Sequence, residues 1–342
     1  MLKFVGDVCL SDIHLDVGCG IGTKIANGAS PFNNIPKSAD DIWIGNFESV
    51  AATNSDHKNY HKDFFRIAPD LLNNCQFIDY YGVANNHVME HGPEAYKEMC
   101  QVLTDVCKGV FGSNEQKSIT FSHQGKQVSI MGFSLRREEN GHIPLYWNMP
   151  YLSEIKSEYN KLSSDYKVAY IHWGVEFITY PSFDQRRFAH WLIDLGFDLV
   201  IGVHPHILQG YERYNDKYIF YSLGNFVFNM AWEPTKYSII VNVDILNNKI
   251  GYDYVKIDKN LSPQIIDENE IPEHLRLQAL NRKIGVVKNP EEYIAEANKG
   301  LKLYRQSAHR AFIKNLSKFK TGIIKEMIFD FIKRRLNNGN KN

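Results

Sequence analysis

The sequence predicts an α/β protein with a helical C-terminal extension. Short runs of apolar, β-branched and aromatic residues recur along the chain, as is typical of buried strands. Helix-like segments separate several of these runs, which favours a sheet covered by helices. The composition changes near residues 260–270, and the pattern beyond is helical. We therefore expect one unit over residues 1–262 and a basic helical extension over residues 263–342.

Eight runs are predicted to be strands, and the first six end in polar, glycine or metal-ligand-type residues. The runs are residues 2–8, 41–48, 77–87, 127–134, 166–174, 198–206, 217–228 and 237–246. The last of them follow one another without intervening helices. This spacing favours a second half that is rich in hairpins or forms a second sheet.

Three segments in the first unit are predicted to be helical. The segment 92–106 has Pro93 near its start and apolar residues three and four positions apart. The segment 181–196 ends at Gly196, which is typical of a helix C-terminus. The segment 69–75 is predicted to be a shorter helix.

The overall composition indicates a folded globular chain that does not bind nucleic acid. Of the 342 residues, 44% are apolar, and the formal net charge is zero. The five cysteines are odd in number and form no CxxC pair, and no signal-peptide-like segment is present. We therefore expect reduced thiols and a cytoplasmic location. No apolar run is long enough to predict a transmembrane helix.

The C-terminal segment carries most of the positive charge. Residues 301–342 contain eleven Lys and Arg against two acidic residues, a net charge of +9, so the remaining 300 residues carry −9. Apolar residues three and four apart form a helical stripe between residues 312 and 331. Such a basic amphipathic helix either docks on its own domain or a second copy, or makes peripheral contact with an anionic membrane through residues 312–335.

Polar side chains of ligand type follow five of the predicted strands. They are Asp7, Asn46, Glu48, Asn85, Asn86, His87, His172, Glu176, His204 and His206. The carboxyl ends of strands in an α/β sheet meet at one edge, so these side chains are expected to lie together. Carboxylate, amide and imidazole ligands in combination suit Mn, Fe or Zn.

Each of these residues also has a simpler interpretation when it is taken alone. Asp7 fits a helix N-cap, Glu48 a solvated carboxylate, and the Asn-Asn-His sequence a turn. His204 and His206 would share one face of a regular strand, with Pro205 holding the preceding backbone extended. The coincidence of five such strand ends favours a metal site.

Seven motifs, in order along the chain, resemble those of the CapA family. These poly-gamma-glutamate capsule biosynthesis proteins belong to the calcineurin-like metallophosphoesterase superfamily. The resemblance covers roughly residues 2–245 and rests on the stretches FVGDVCLSD, GNFES, FFRIAPD, ANNHVMEHG, IHWGVEF, DLVIGVHPHILQGYE and YSLGNFVF. It implies a four-layer αββα sandwich with a dinuclear site for one or two divalent metal ions.

The resemblance also implies a role for individual residues of that site. His87 would be the proton donor or would stabilise the transition state. Six residues would hold the metals: Asp7 and His206 the first, Asn86, His172 and His204 the second, and Glu48 both. Asn46, Arg66 and Asn225 are candidate substrate contacts, although Arg66 also fits a salt bridge and Asn225 a turn. Glu90 is expected to orient His87, and Glu176 either to orient His172 or to contact substrate.

One position departs from the superfamily pattern. Cys9 stands where the wider superfamily has a histidine ligand. Either Cys9 binds metal as a thiolate or it is a buried structural cysteine. The first metal position is therefore expected to hold its ion weakly or not at all.

Two functions remain open from the sequence. The first is a metal-dependent hydrolase that cleaves a phosphoester or related bond of an anionic small molecule or polymer in capsule or cell-envelope biosynthesis. The second is a non-enzymatic scaffold that binds such a polymer or its synthase. Family members commonly carry an N-terminal membrane anchor, whereas this sequence enters a strand at once, which favours a cytoplasmic role at a polysaccharide locus.

Overall fold

The computed structural model describes residues 1–286, 289–319 and 321–329. Within these ranges the strands are β1 (Leu2–Val8), β2 (Ile42–Phe47), β3 (Val50–Ala51), β4 (Arg66–Ile67), β5 (Tyr80–Gly82), β6 (Gly109–Phe111), β7 (Ser118–His123), β8 (Lys126–Ser134), β9 (Tyr166–His172), β10 (Leu199–Val203), β11 (Tyr211–Tyr214), β12 (Lys217–Phe220), β13 (Asn225–Val227), β14 (Tyr237–Asp244), β15 (Lys249–Ile257) and β16 (Pro263–Ile266).

Six α-helices of the same ranges lie before residue 316. They are α1 (Ile21–Ala26), α2 (Pro93–Val106), α3 (Leu152–Tyr159), α4 (Phe183–Leu195), α5 (Leu277–Asn281) and α6 (Pro290–Asn315). Six 3₁₀ helices connect other elements: Asn59–Asp63, Pro69–Cys75, Glu233–Lys236, Glu268–Glu270, Glu273–Leu275 and Leu316–Lys318.

Two large sheets form the centre of the fold. The first has the strand order β16-β15-β14-β1-β2-β5-β6, with β13 also paired to β1. The second has the order β11-β12-β10-β9-β8-β7. Strands β1, β2, β5 and β6 run parallel, as do β8, β9, β10 and β12. The carboxyl ends of the parallel strands therefore lie at one edge of each sheet.

Three apolar layers hold the sheets and helices together. Phe4 and Ile44 of the first sheet pack between the sheets with Val168 and Ile201 of the second. The outer face of the first sheet packs against α1 and α2, and that of the second sheet against α3 and α4. The predicted four-layer αββα sandwich with a helical C-terminal region is confirmed.

The predicted helices lie close to the expected places. The segment 92–106 forms α2. Helix α4 begins after Ser182, whose side chain accepts a hydrogen bond from the Gln185 backbone at 3.1 Å, and ends at Gly196 with φ +121°. The segment 69–75 is a 3₁₀ helix rather than an α-helix.

Two predicted strands differ from the structure. Only Tyr80–Gly82 of the run 77–87 is a strand, because the chain then leaves the sheet and Asn85 bonds to the Phe47 carbonyl. The run 217–228 is two strands, β12 and β13, which belong to different sheets. The break falls at Gly224, whose φ of +73° suits glycine.

A close approach of two glycines sets the position of β13. A Cβ atom on Gly6 would lie 1.7 Å from the carbonyl oxygen of Gly224. Without that atom, β13 pairs in parallel with the end of β1, so that Asp7 stands opposite Asn225. The glycine pair therefore brings two candidate site residues side by side.

The chain beyond residue 262 continues the first sheet before it becomes helical. Strand β16 pairs with β15, and Ile271, Leu275, Leu277 and Leu280 pack in the layer between the sheets. The division of the chain at residue 262 remains a prediction.

The described part of the basic segment lies against the sandwich. Tyr304 of α6 stacks on Phe177 with ring centroids 4.2 Å apart, and Asn315 donates to the Leu15 carbonyl at 3.1 Å. Residues 321–329 are helical, and Ile323 and Met327 pack against a small apolar cluster of Val17, Tyr60 and Phe64. Residues 330–335 of the predicted membrane-contact segment lie outside the described residues. None of the described helices combines the length and apolar character needed to cross a bilayer.

Candidate metal centre

Carboxylates and imidazoles from four strand ends converge on one buried cluster. Glu48, His172 and His204 each offer one ligand atom within 4.8 Å of the others. Asp7, Glu48 and His206 form a second such group, so Glu48 belongs to both. All five side chains are at most 2% exposed. The cluster is therefore two adjoining ligand sets that share one carboxylate.

The backbone at the two histidines is not extended as the sequence predicted. Strand β10 ends at Val203, and His204 and His206 have φ values of +99° and +60°. Residues other than glycine rarely adopt such values, and they persist where the surrounding structure enforces them. The turn places the His204 and His206 rings 5.7 Å apart, at an angle of 56° to each other.

Asn46 holds the two carboxylates together. Its Nδ2 donates to Asp7 Oδ1 at 2.8 Å and to Glu48 Oε2 at 3.2 Å. Asn85 fixes the orientation of that amide by donating to Asn46 Oδ1 at 3.0 Å. Asn46 is 1% exposed. Its predicted contact with substrate remains a prediction, and its role in the structure is to position Asp7 and Glu48.

The pKa values of the two carboxylates are shifted in opposite directions. Burial raises the pKa of Glu48 well above its usual value, and the charge of Asp7 adds to the rise. Burial also opposes ionisation of Asp7, but the hydrogen bond and charge of His206 outweigh it, so the pKa of Asp7 lies below its usual value. Asp7 is thus the carboxylate favoured in the ionised form, although His206 Nε2 also lies 3.7 Å from Glu48 Oε1.

The second ligand set contains polar atoms without partners. Both ring nitrogens of His204 and the Oε1 atom of Glu48 are buried and accept or donate no hydrogen bond within the described residues. Burial lowers the pKa of His204 and of His172 well below the usual value, which keeps both imidazoles neutral. Buried unpartnered polar atoms are costly, and neutral imidazoles are good metal ligands. The donor set therefore fits a divalent cation.

Asn86 and His206 are hydrogen-bonded within the cluster, and their ligand roles remain predictions. Asn86 Oδ1 is 2.8 Å from His172 Nε2. His206 Nδ1 is 3.0 Å from Asn225 Oδ1, and Asn225 in turn donates to the Thr235 carbonyl. Asn225 therefore orients His206, and its contact with substrate remains a prediction.

His87 stands at the edge of the cluster. Its Nδ1 is 2.9 Å from Glu90 Oε2, and its Nε2 is 4.0 Å from Glu48 Oε1. The ring stacks on Phe65 with centroids 4.0 Å apart. Its side chain is 21% exposed, unlike the buried ligand-type residues. His87 is therefore held on two sides and still reachable from solvent.

Arg66 is engaged by backbone groups away from the cluster. Its guanidinium donates to the carbonyls of Lys62, Ala52 and Thr53 at 2.6 to 3.0 Å. These bonds tie β3 to β4. Its role as a substrate contact remains a prediction.

Cys9 has the environment of a structural thiol. It is fully buried, and burial raises its pKa far above the usual value. Its Sγ lies 3.3 Å from the Ser11 hydroxyl. The buried thiol and its contact with Ser11 fit the structural role that the sequence offered as one of two alternatives.

Two residues contribute to the cluster in ways that the sequence did not predict. Glu176, expected to orient His172, groups with His204 and His206 within ligand distance. Arg136 was not considered, yet its positive charge contributes to the lowered pKa values of His172 and His204. The signal was available, because Arg136 follows the predicted strand 127–134 as the other site residues follow theirs.

The sandwich and its carboxylate-histidine cluster define an α/β protein with a candidate site for a divalent metal ion. Residues 1–230 match the family described as bacterial capsule synthesis protein PGA_cap. The chain belongs to this family.

Two curated relatives carry the CapA name. The chain is 30% identical over 233 residues to the PGA biosynthesis protein CapA of Bacillus subtilis, covering 62% of this chain and 60% of the relative. It is 30% identical over 270 residues to the capsule biosynthesis protein CapA of Bacillus anthracis, covering 72% and 64%. The matches span less than two thirds of either relative's length.

Solved structures with a similar outline have low sequence identity. A phosphatase from Mycoplasma pneumoniae aligns with a TM-score of 0.46 and 12% identity, covering 76% of this chain and 95% of its own. A 5'-nucleotidase from Candida albicans aligns with a TM-score of 0.43 and 13% identity, covering 91% and 58%.

Proposed function

We propose that the chain is a metal-dependent hydrolase that cleaves a phosphoester or related bond in the biosynthesis of a capsule or cell-envelope polymer. The observation that carries the proposal is the sharing of Glu48 between two ligand sets, with His204 left unpartnered in one of them. The family and the CapA relatives support a role connected with capsule synthesis.

Six residues would hold Mn, Fe or Zn in one or two positions. Asp7, Glu48 and His206 would form the first position, and Glu48, Asn86, His172 and His204 the second. A divalent ion held there polarises a phosphoryl oxygen and activates water. Asn46, through its bonds to Asp7 and Glu48, keeps the two carboxylates facing each other.

His87 would supply a proton to the leaving oxygen. Glu90 accepts a hydrogen bond from Nδ1 and stabilises the charged ring, which leaves Nε2 to donate. Stacking on Phe65 restricts rotation of the ring. The position of His87 at the solvent-facing edge suits a group that meets a substrate arriving from outside.

The location and partners of the protein form part of the same proposal. The five cysteines are free, which supports a reducing cytoplasm. The substrate would be an anionic small molecule or polymer, and nucleic acid is not expected. Peripheral membrane contact through residues 312–335 remains a second component of the proposal, supported by the basic charge of that segment.

The decisive experiment measures metal and turnover in the same preparations. Protein made with added Mn is analysed for metal and then assayed with p-nitrophenyl phosphate and bis(p-nitrophenyl) phosphate. We expect bound metal and Mn-dependent turnover in the wild type. We also expect loss of metal in His204→Ala, and metal without turnover in His87→Ala. The exposed His274 provides a matched control as His274→Ala.

The scaffold alternative makes the opposite prediction. A protein without bound metal, or equal residual activity in His87→Ala, His204→Ala and the wild type, would reject hydrolysis. Binding of an anionic polymer with no turnover would then define the function.

A further inference from the structure

A cavity lined in part by the residues that follow His172 differs in character from the metal centre. Its volume is about 650 Å³, within the usual range for small-molecule sites. Four aromatic side chains line it: Trp173, Phe188, Trp191 and Tyr293. Phe188 and Trp191 stack with centroids 5.6 Å apart and planes 26° apart, so they form one continuous apolar wall.

One buried polar group in the wall lacks a partner. Gln185 is 7% exposed and lines the cavity. Its Oε1 accepts a hydrogen bond from the Ser182 backbone, whereas its Nε2 has no partner in the described residues. Since Oε1 is fixed by the helix cap, the amide cannot rotate freely to satisfy Nε2. A buried unpartnered donor points to a ligand that brings an acceptor oxygen.

The backbone segment that lines the cavity continues into the metal centre on both sides. Gly174 and Val175 line it and lie between His172 and Glu176, two residues of the cluster. Gly174 has φ +88°, and a Cβ atom there would lie 2.8 Å from Gln185 Nε2. The glycine therefore permits both the turn after His172 and the close position of the amide. The cavity lining and the cluster thus share one stretch of backbone, residues 172–176.

The charge of the lining argues against a polyanion as the occupant. Asp184 and Arg187 are the acidic and basic residues of the wall, and they lie 3.9 Å apart as a pair. The wall is thus neutral overall. An alkyl chain is also disfavoured, because it would leave Gln185 Nε2 without an acceptor. Aromatic faces combined with a few fixed polar groups match the apolar faces and hydroxyl edges of a sugar ring.

We propose that this cavity is a glycosyl-binding subsite, which receives a neutral sugar unit of the substrate next to the bond at the metal centre. As a substrate subsite it rests on the proposed hydrolase function. Sugar binding by the cavity does not depend on that function, because no candidate metal ligand lines the cavity. Under this proposal the polymer substrate is a glycan rather than a chain of glutamate residues.

The test uses the full chain and defined probes. Chitotriose, maltotriose and cellotriose are titrated by calorimetry and by tryptophan fluorescence, with oligo-γ-glutamate as the polyanion for comparison. Trp191→Ala removes the aromatic wall. Gln185→Glu retains an acceptor for the helix cap but removes the N–H donor. Phe183→Ala, on the same helix but outside the lining, is the matched control.

We expect at least one trisaccharide to bind, with affinity reduced about tenfold in Trp191→Ala and in Gln185→Glu and unchanged in Phe183→Ala. Turnover of p-nitrophenyl phosphate should persist in all three variants, because that substrate carries no sugar. Failure of all three saccharides to bind, binding that neither variant alters, or preference for oligo-γ-glutamate in this cavity would overturn the subsite. Saccharide binding without any phosphatase turnover would reject the hydrolase proposal and leave the sugar site standing.

Discussion

His87 and Glu90 form a direct pair, with Nδ1 and Oε2 separated by 2.9 Å. Burial opposes ionisation of Glu90, but the hydrogen bond from His87 outweighs it, and the pKa of Glu90 lies below its usual value. The pair places a charged acceptor behind the ring and leaves the opposite nitrogen facing the cluster.

Glu90→Gln should lower kcat without changing metal content. The amide keeps the size of the side chain but cannot stabilise a charged His87, and loss of such an orienting partner reduces activity about tenfold or more. The measurement is kcat against pH together with elemental analysis. Glu94→Gln, an exposed acid on the adjacent helix, is the control. An unchanged pH profile and kcat would show that Glu90 does not act through His87.

His204→Ala should abolish metal-induced stabilisation. A ligand that binds only the native state stabilises it by an amount that grows with the logarithm of ligand concentration over Kd, so added Mn should raise the Tm of the wild type. The variant lacks the buried unpartnered imidazole and should show no shift, whereas His274→Ala should behave as the wild type. Differential scanning fluorimetry with and without Mn, after chelation, measures this without any substrate. Equal shifts in all three proteins would refute the ligand role of His204.

Gly6→Ala should destabilise the protein where Gly251→Ala does not. A methyl group at position 6 would collide with the Gly224 carbonyl, and β13 would have to move to relieve the clash. Overpacking of this kind lowers the free energy of unfolding by about 2 to 3 kcal/mol. At Gly251 of β15 nothing lies within 4 Å of the added atom, so the change should stay within about 1 kcal/mol. Urea denaturation of both variants gives the comparison. Similar stabilities would contradict the proposed close approach.

Asp16 should make the stability of the protein depend on pH. Burial, with the charge of Asp12, raises the pKa of Asp16 from 3.8 to about 7. Because the folded value lies above the unfolded one, the contribution of Asp16 is fully present below pH 3.8 and is lost as pH rises through about 7.

The matching variant is Asp16→Asn, which cannot ionise. Its stability relative to the wild type should improve by about 3 kcal/mol between about pH 5 and about pH 8, since each pH unit between the two pKa values is worth about 1.4 kcal/mol. Urea denaturation at both values measures the change. Asp184→Asn, at a side chain 92% exposed, serves as the control. A stability difference that does not change with pH would mean that Asp16 ionises normally.

Much of the fold follows from local patterns in the sequence. Apolar runs with polar ends located the central strands, and the helix signals Pro93 and Gly196 helped to locate α2 and α4. The separation of β12 from β13 did not follow, because one glycine with a positive φ divides an apparently continuous run. Strand β7 was also missed, since its outer positions are half exposed.

The candidate site was foreseen as a set of residue types but not as an arrangement. Strand-end position was enough to nominate Asp7, Glu48, His172 and His204. It could not show that Asn46 bridges the carboxylates, because that depends on the amide orientation set by Asn85. Nor could it find the cavity beside Gly174, because its lining comes from segments far apart in the sequence, among them residues of α3, α4 and α6.

Strand β1 pairs with β2 on one side and with β13 and β14 on the other. This arrangement has a consequence for folding during translation. During translation β2 becomes available early, but the partners of the other edge emerge some two hundred residues later. Contacts so distant in sequence slow folding, and an unpaired strand edge attracts other chains. We therefore expect the nascent chain to depend on a holding chaperone until β14 has been synthesised, and the metal ligands to assemble in the last step of folding.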